Sequence, residues 1–271
     1  VLQKLAANSD NKVAIAIAGA IPPFVELLTS GNADAKEYAA GLLRKLAVVS
    51  DNQVAIAKAG AISPLVELLA SGFVLTQCIA ARALQKLAGN SDNKAAIAKA
   101  GAIPALVELL TSGTADEKEY AAAVLRKLAV VSDNQVAIAK AGAISPLVEL
   151  LTSGTAEAKE EAAGALRKLA VNSDNQVAIA KASAVPPLID LLTSGTDVAK
   201  VNAAAALWIL AYNSDNDIAI VNAGAIPPLV ALLMPGTAGA NEKAAAALWN
   251  LASSYQNKAT IAKAGAIPLL V

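Results

Sequence analysis

Apolar positions along this chain fall into short blocks at helical spacing, separated by polar or glycine breaks. "SDNQVAIAKAG" (50–60) places polar N-cap candidates before a short apolar-periodic run and ends on a Gly suited to left-handed backbone. "AISPLVELLTSG" (143–154) restarts around a Pro, which a first helical turn tolerates, and closes at Ser-Gly. "TAEAKEEAAGALRKLAVN" (155–172) is the longest of the three, and its counterpart at Thr114–Glu117 has capping-box spacing. No segment alternates apolar and polar with period two over a useful length, so the pattern predicts helices and no sheet.

The three-helix pattern repeats. Asn11, Asn52, Asn93, Asn134, Asn175, Asn216 and Asn257 stand at a constant interval of 41, as do Gly19, Gly60, Gly101, Gly142, Ser183, Gly224 and Gly265. A second layer lies above this one. "LRKLAVVSDNQVAIAKAGAISPLVELL" occurs unchanged at 43–69 and 125–151, so a two-repeat module has been copied in tandem. One 41-residue unit cannot bury its own apolar faces, whereas stacked units share a continuous core. The expectation is a single solenoid over 1–271 without an internal domain boundary. Its end repeats are partial: a third-helix remnant at 1–10, and the first and second helices alone at 257–271. The uncapped ends suggest a piece of a longer array, with apolar end faces prone to head-to-tail self-contact.

The short helix ending at Gly60, the "AISPLVELL" helix and the long "AARALQKLA" helix, at this period, resemble the armadillo repeat. "NAGAIPPLVALL" and "AAAALWNLA" are most similar to the arrays of plant, fungal and oomycete armadillo proteins. The resemblance covers essentially the whole chain and implies an all-α fold, an armadillo-type α-solenoid. HEAT repeats are the structural alternative, and the Gly between the first two helices argues against them.

Composition narrows the function. The chain has no His, which removes the usual general base and the commonest metal ligand. Its one Cys, Cys78, forms neither an internal disulfide nor a cysteine-rich zinc site. No nucleophile–base pair, phosphate loop or metal cluster is visible, so the expectation is a non-enzymatic protein without cofactors. The 22 basic and 22 acidic residues cancel, which gives no overall field for nucleic acid. No apolar stretch reaches the ~18 residues of a membrane helix. The single Cys is compatible with an intracellular setting, cytoplasmic or nuclear.

The third helix carries the candidate site. At 100° per residue, Ala162, Ala165, Leu166 and Leu169 cluster on a core side, and Glu160, Gly164, Arg167, Lys168 and Val171 lie opposite. In armadillo proteins this opposite face lines the concave groove, so the resemblance makes it a binding surface for a protein or peptide. One register through the array reads Lys4, Lys45, Lys86, Lys127, Lys168, Ile209 and Asn250. The importin-like family places a ladder of Asn there, which clamps the backbone of an extended peptide by donating and accepting. Only Asn250 matches. Four residues earlier the family often has Trp, where this chain has Gly41, Arg82, Ala123, Gly164, Ala205 and Ala246.

A row of cations replaces the clamp: Lys45, Lys86, Lys127 and Lys168, thickened by Arg44, Arg126 and Arg167. A partial acidic row, Glu37, Glu119, Glu160 and Glu242, lies two helical turns away. That is ~12 Å within one helix, too far for direct pairing, which leaves two readings: the lysines meet an outside partner, or both charged rows only solubilise an apolar solenoid. Trp208 and Trp249, just before the ladder register, are expected to be contact anchors for an apolar residue, the alternative being that they cover the floor between repeats. The implied partner is an extended or helical protein segment of acidic character. Two alternatives stay open: an engineered or structural array without an evolved ligand, which the regularity suits, and the substrate-recruiting part of a ubiquitin-ligase-like protein. A further acidic row on the second helices, Glu26, Glu67, Glu108, Glu149 and Asp190, is expected to face solvent or to cap lysines of the short helices.

Overall fold

The computed structural model describes residues 1–234 and 237–270, and among them all regular secondary structure is helical. Each full repeat contains a short first helix, a second helix and a long third helix, as in Ser50–Lys58, Ile62–Ser71 and Val74–Leu87. At the ends, Leu2–Leu5 precedes the first complete repeat, and Tyr255–Lys263 and Ile267–Leu270 form the last. Val271, expected to continue that second helix, lies outside the described residues.

The corner between the first and second helices depends on one backbone conformation. Gly19, Gly60, Gly101, Gly142, Gly224 and Gly265 all have φ between 79° and 86°, the left-handed region. The helices flanking Gly19, Gly60 and Gly101 meet at 81°, 83° and 79°. Ser183 occupies the same corner with φ 62°, and its helices meet at 84°. A Cβ built on the Gly residues of this register meets nothing within 4 Å, so Ser183 has room for its side chain and only its backbone is strained. Left-handed backbone costs an L-residue about 1–2 kcal/mol, partly offset by the ~0.4–1 kcal/mol that Gly loses through its freer unfolded chain. Ser183→Gly should therefore raise stability by about 0.5–1 kcal/mol. A denaturation midpoint that stays put or falls would contradict this.

Helix starts follow local chemistry, with one shift from the sequence reading. The first helices begin at the Ser of "SDN", and the cap is the residue before it: the side chains of Asn8, Asn90, Asn172 and Asn213 accept from the second and third backbone N–H groups. Val49 holds this place in the copied module and offers no side-chain cap. The capping box is present. Thr114 Oγ1 accepts from the Glu117 N–H at 3.4 Å, and Glu117 Oε2 accepts from the Thr114 N–H at 2.7 Å.

The chain packs as two compact units, Val1–Asn134 and Gln135–Val271. In the first, the third helices Ala33–Leu46, Val74–Leu87 and Ala115–Leu128 pack in series, each also against the second helix of its own repeat. In the second, Ala156–Leu169, Asp197–Leu210 and Ala238–Leu251 do the same. Leu provides the large buried side chains and Ala the close helix approaches; Ala203 to Leu207 are all buried. That explains the scarcity of aromatics. A core of third helices lying side by side is filled by Leu and Ala, which leaves little room for bulky rings.

A second feature joins the repeats. Asn52, Asn93, Asn134 and Asn175 are buried, and each side-chain Nδ2 bridges two carbonyls. One is the carbonyl six residues back, at the end of the preceding third helix, and the other lies 40 residues back, in the preceding first helix. These Asn residues, which mark the period in the sequence, are inter-repeat staples.

Candidate functional site

The outward face of the third helices is built differently in the two units. In unit Val1–Asn134, Arg44 and Lys45 end one third helix, Arg82 and Lys86 lie a turn apart near the end of the next, and Arg126 and Lys127 end the third. Lys86 is exposed and the other five are half-buried. Lys45 departs from the unengaged cation expected of it, because its Nζ donates to the Gln3 carbonyl at 2.8 Å. The reason is general to this face. A helix carbonyl keeps a second lone pair, and a donor on the following third helix reaches it. Asn202 Nδ2 bonds the Glu160 carbonyl at 3.2 Å, and Asn250 Nδ2 bonds the Trp208 carbonyl at 3.0 Å, both also 42 residues back. Lys45 and Asn250 share the ladder register, so there Lys keeps the donor role of Asn and loses the acceptor. Asn250 Oδ1 makes no hydrogen bond among the described residues, which leaves one acceptor at that rung.

The sequence marks Arg82 only as the residue standing in place of a family Trp. Its guanidinium lies 5.0 Å from the centroid of the Tyr120 ring, an arrangement of cation over aromatic face. Arg44 Nε is buried without a hydrogen-bond partner. Burial, then the Arg82 charge, lower the Arg44 pKa from its ordinary value.

In unit Gln135–Val271 the residues chosen from sequence come together in part. Arg167, Lys168, Trp208 and Ile209 line a cleft of about 190 Å³, joined by Val171, Ala205 and Lys243. The Lys243 ammonium sits 5.4 Å from the Trp208 ring centroid and pairs with Glu242 at 2.7 Å. Trp208 is half-buried, tilted against Tyr212, and its Nε1 is buried with no partner. Trp249, by contrast, is 74% exposed. The two tryptophans thus differ: one floors a cleft and one stands in solvent. Glu160 of the acidic row accepts from Thr196 Oγ1 at 2.9 Å, which ties it to the next repeat.

One expected surface residue is buried. Gly164, assigned to the outer face by the helical projection, is buried with Ala163 and Ala165. Gly41 shows the cause at the same register: a Cβ there would stand 2.7 Å from Gln3 Nε2 on the neighbouring helix. Small residues at this register let successive third helices approach. The second-helix row Glu26, Glu67, Glu108, Glu149 and Asp190 is exposed at every position, as a solvent-facing row requires.

Sequence reasoning missed an apolar row. Val48 and Val130 in the first unit and Val171 and Tyr212 in the second are all more than half exposed, three residues beyond the ladder register. Their interval is visible in the sequence, but a projection of one helix contains only Val171. Cys78 is half-buried, and burial, then Glu117 and Asp116, push its thiol up to about 11, a setting that keeps it protonated rather than nucleophilic. Among the described residues, no group of acidic, His or Cys side chains is arranged to hold a metal ion.

Comparison with known proteins agrees with this architecture. The model of the plant U-box protein ARM repeat region matches residues 80–271, and that of the armadillo/beta-catenin-like repeat matches 8–48 and 50–89. A search of curated proteins finds no match. Among solved structures, an engineered protein from a structural genomics consortium is 35% identical, with a TM-score of 0.92 over 99% of this chain and 67% of that one. A designed armadillo repeat protein is 28% identical, with a TM-score of 0.80 over 85% of this chain and 99% of that one. Another, in complex with the peptide (KR)4, is 28% identical, with a TM-score of 0.78 over 85% and 99% of the two chains. The corner Gly, the three-helix repeat and these matches lead to one conclusion: the chain belongs to the armadillo-repeat family.

Proposed function

We propose that this chain is a non-enzymatic scaffold that holds an extended acidic segment of a partner protein along the third-helix face. The observation that carries the reading is the pair of parallel rows on that face. Cations at Arg44, Lys86 and Lys127 run beside exposed Val48 and Val130 in the first unit, and Arg167, Lys168 and Lys243 run beside Val171 and Tyr212 in the second. A segment that alternates carboxylates with apolar residues complements both rows, because an extended chain sends successive side chains to opposite sides, carboxylates toward one row and apolar residues toward the other. Designed armadillo proteins support the mode of binding, since one of them is seen with a bound peptide. The charge is opposite: that peptide is basic, and the face here is cationic.

The affinity follows from the exposure. Ion pairs at exposed sites give only ~0.2–1 kcal/mol each, so binding is weak to moderate and falls with salt. Apolar contacts at Trp208 and Trp249 add residence time. A peptide-array screen with the purified chain tests the reading. Acidic sequences with interspersed apolar residues should be enriched; a preference for basic sequences would overturn it. The match to the plant U-box ARM region favours a second reading, in which the same face recruits substrates for a ligase. That reading changes the consequence of binding and leaves its chemistry as it is.

A further inference from the structure

We propose that Arg44, Arg82 and Lys86 form a subsite for the phosphate of a phosphorylated side chain, carried by the segment that the first unit binds. The proposal rests on the groove reading above and names what one part of that groove takes. Arg44 belongs to the helix Ala33–Leu46, and Arg82 and Lys86 to the helix Val74–Leu87 packed beside it. Arg82 and Lys86 are four residues apart, so they share a face one turn from each other.

Three observations point to an anionic ligand. The side chains of Arg44, Arg82 and Lys86 make no hydrogen bond or ion pair with any described residue. Arg44 Nε is buried and unpartnered, although a guanidinium N–H is a strong donor. The neighbouring Arg82 guanidinium lowers the pKa of Arg44, second to burial, so the two charges oppose each other across the helix pair. Like charges are normally separated or neutralised. Here the register itself is altered to bring them together, since Arg82 stands where the other repeats have Gly41, Ala123, Gly164, Ala205 and Ala246.

The charge count decides the ligand. A single carboxylate offsets one of three cations, whereas a phosphate monoester carries about −1.5 to −2 charges and three acceptor oxygens. The Arg82 guanidinium carbon lies over the Tyr120 face, and a guanidinium carries paired N–H donors whose spacing matches phosphate oxygens.

The test is fluorescence anisotropy with one labelled acidic peptide, made with a central Ser and with phosphoserine, titrated with the whole chain. The phosphorylated form should bind about tenfold tighter. Arg82→Ala should erase that difference while leaving the unphosphorylated peptide's affinity within a few-fold. This variant restores the small residue found at the register elsewhere, so the fold tolerates it. Equal binding of the two peptides overturns the phosphate subsite and leaves the acidic groove standing. Binding of neither overturns both. Inorganic phosphate that competes as well as the phosphopeptide would reduce the site to one for a free anion and overturn the proposal as well.

Discussion

Asn175→Ala is expected to lower the stability of the chain by about 2 kcal/mol, a large effect for removal of one small polar side chain. Asn175 is 4% exposed, and its Nδ2 donates to the Leu169 carbonyl at 3.1 Å and the Gln135 carbonyl at 3.3 Å. Each net hydrogen bond contributes ~0.5–1.5 kcal/mol. The Leu169 carbonyl also accepts from the Asn172 N–H, so it does not become fully orphaned. The sum therefore stays near ~2 kcal/mol rather than the larger penalty of two unmet buried groups. Asn11→Ala provides the control. Asn11 is half-buried, and its Nδ2 reaches only the Leu5 carbonyl, at 3.0 Å. Its loss should cost under about 1 kcal/mol. Chemical denaturation of both variants decides the matter. Equal losses would mean that the buried staple does not couple repeats. In a repeat array stability is roughly a sum of repeat and interface terms, so loss of the staple should also broaden the transition.

The Asn staple shows how sequence and structure divide the information. The period is plain from Asn11 to Asn257, and with it the number of repeats, the helical class and the corner that needs left-handed backbone. What the Asn side chain does is not visible there, because its two acceptors lie in other helices and belong to the backbone, which carries no sequence signal. The same limit applies to Lys45. Its register and charge are legible, but the Gln3 carbonyl that accepts from it comes within reach only when two third helices lie side by side. Gly164 fails for a related reason. A helical projection assigns one inner face, whereas a third helix in an array touches neighbours on its flanks too. The exposed row Val48, Val130, Val171 and Tyr212 is present in the sequence at the repeat interval, and a register-by-register comparison finds it.

Reversal of charge at Lys86 and Lys127 is expected to have the largest effect on binding. Both lie in unit Val1–Asn134 at the ladder register, Lys86 exposed and Lys127 half-buried. Each favourable pair lost removes ~0.2–1 kcal/mol, and each Glu introduced adds repulsion of similar size. Together the two substitutions should weaken binding of an acidic segment by ~0.8–4 kcal/mol, roughly fourfold to several-hundredfold. The helix itself should persist, since Glu is as good a helix former as Lys and neither position is in the core.

The most direct test of the scaffold account is therefore one titration series. An unphosphorylated acidic peptide with interspersed apolar residues is titrated by calorimetry into the native chain and into Lys86→Glu/Lys127→Glu, at low and at moderate salt. Circular dichroism confirms that both proteins keep their helices. The account predicts measurable binding to the native chain at low salt, weaker binding as salt rises, and the stated loss in the variant. Equal affinity in the two proteins, or an affinity indifferent to salt, would contradict it and reduce the cationic row to a solvated helix face.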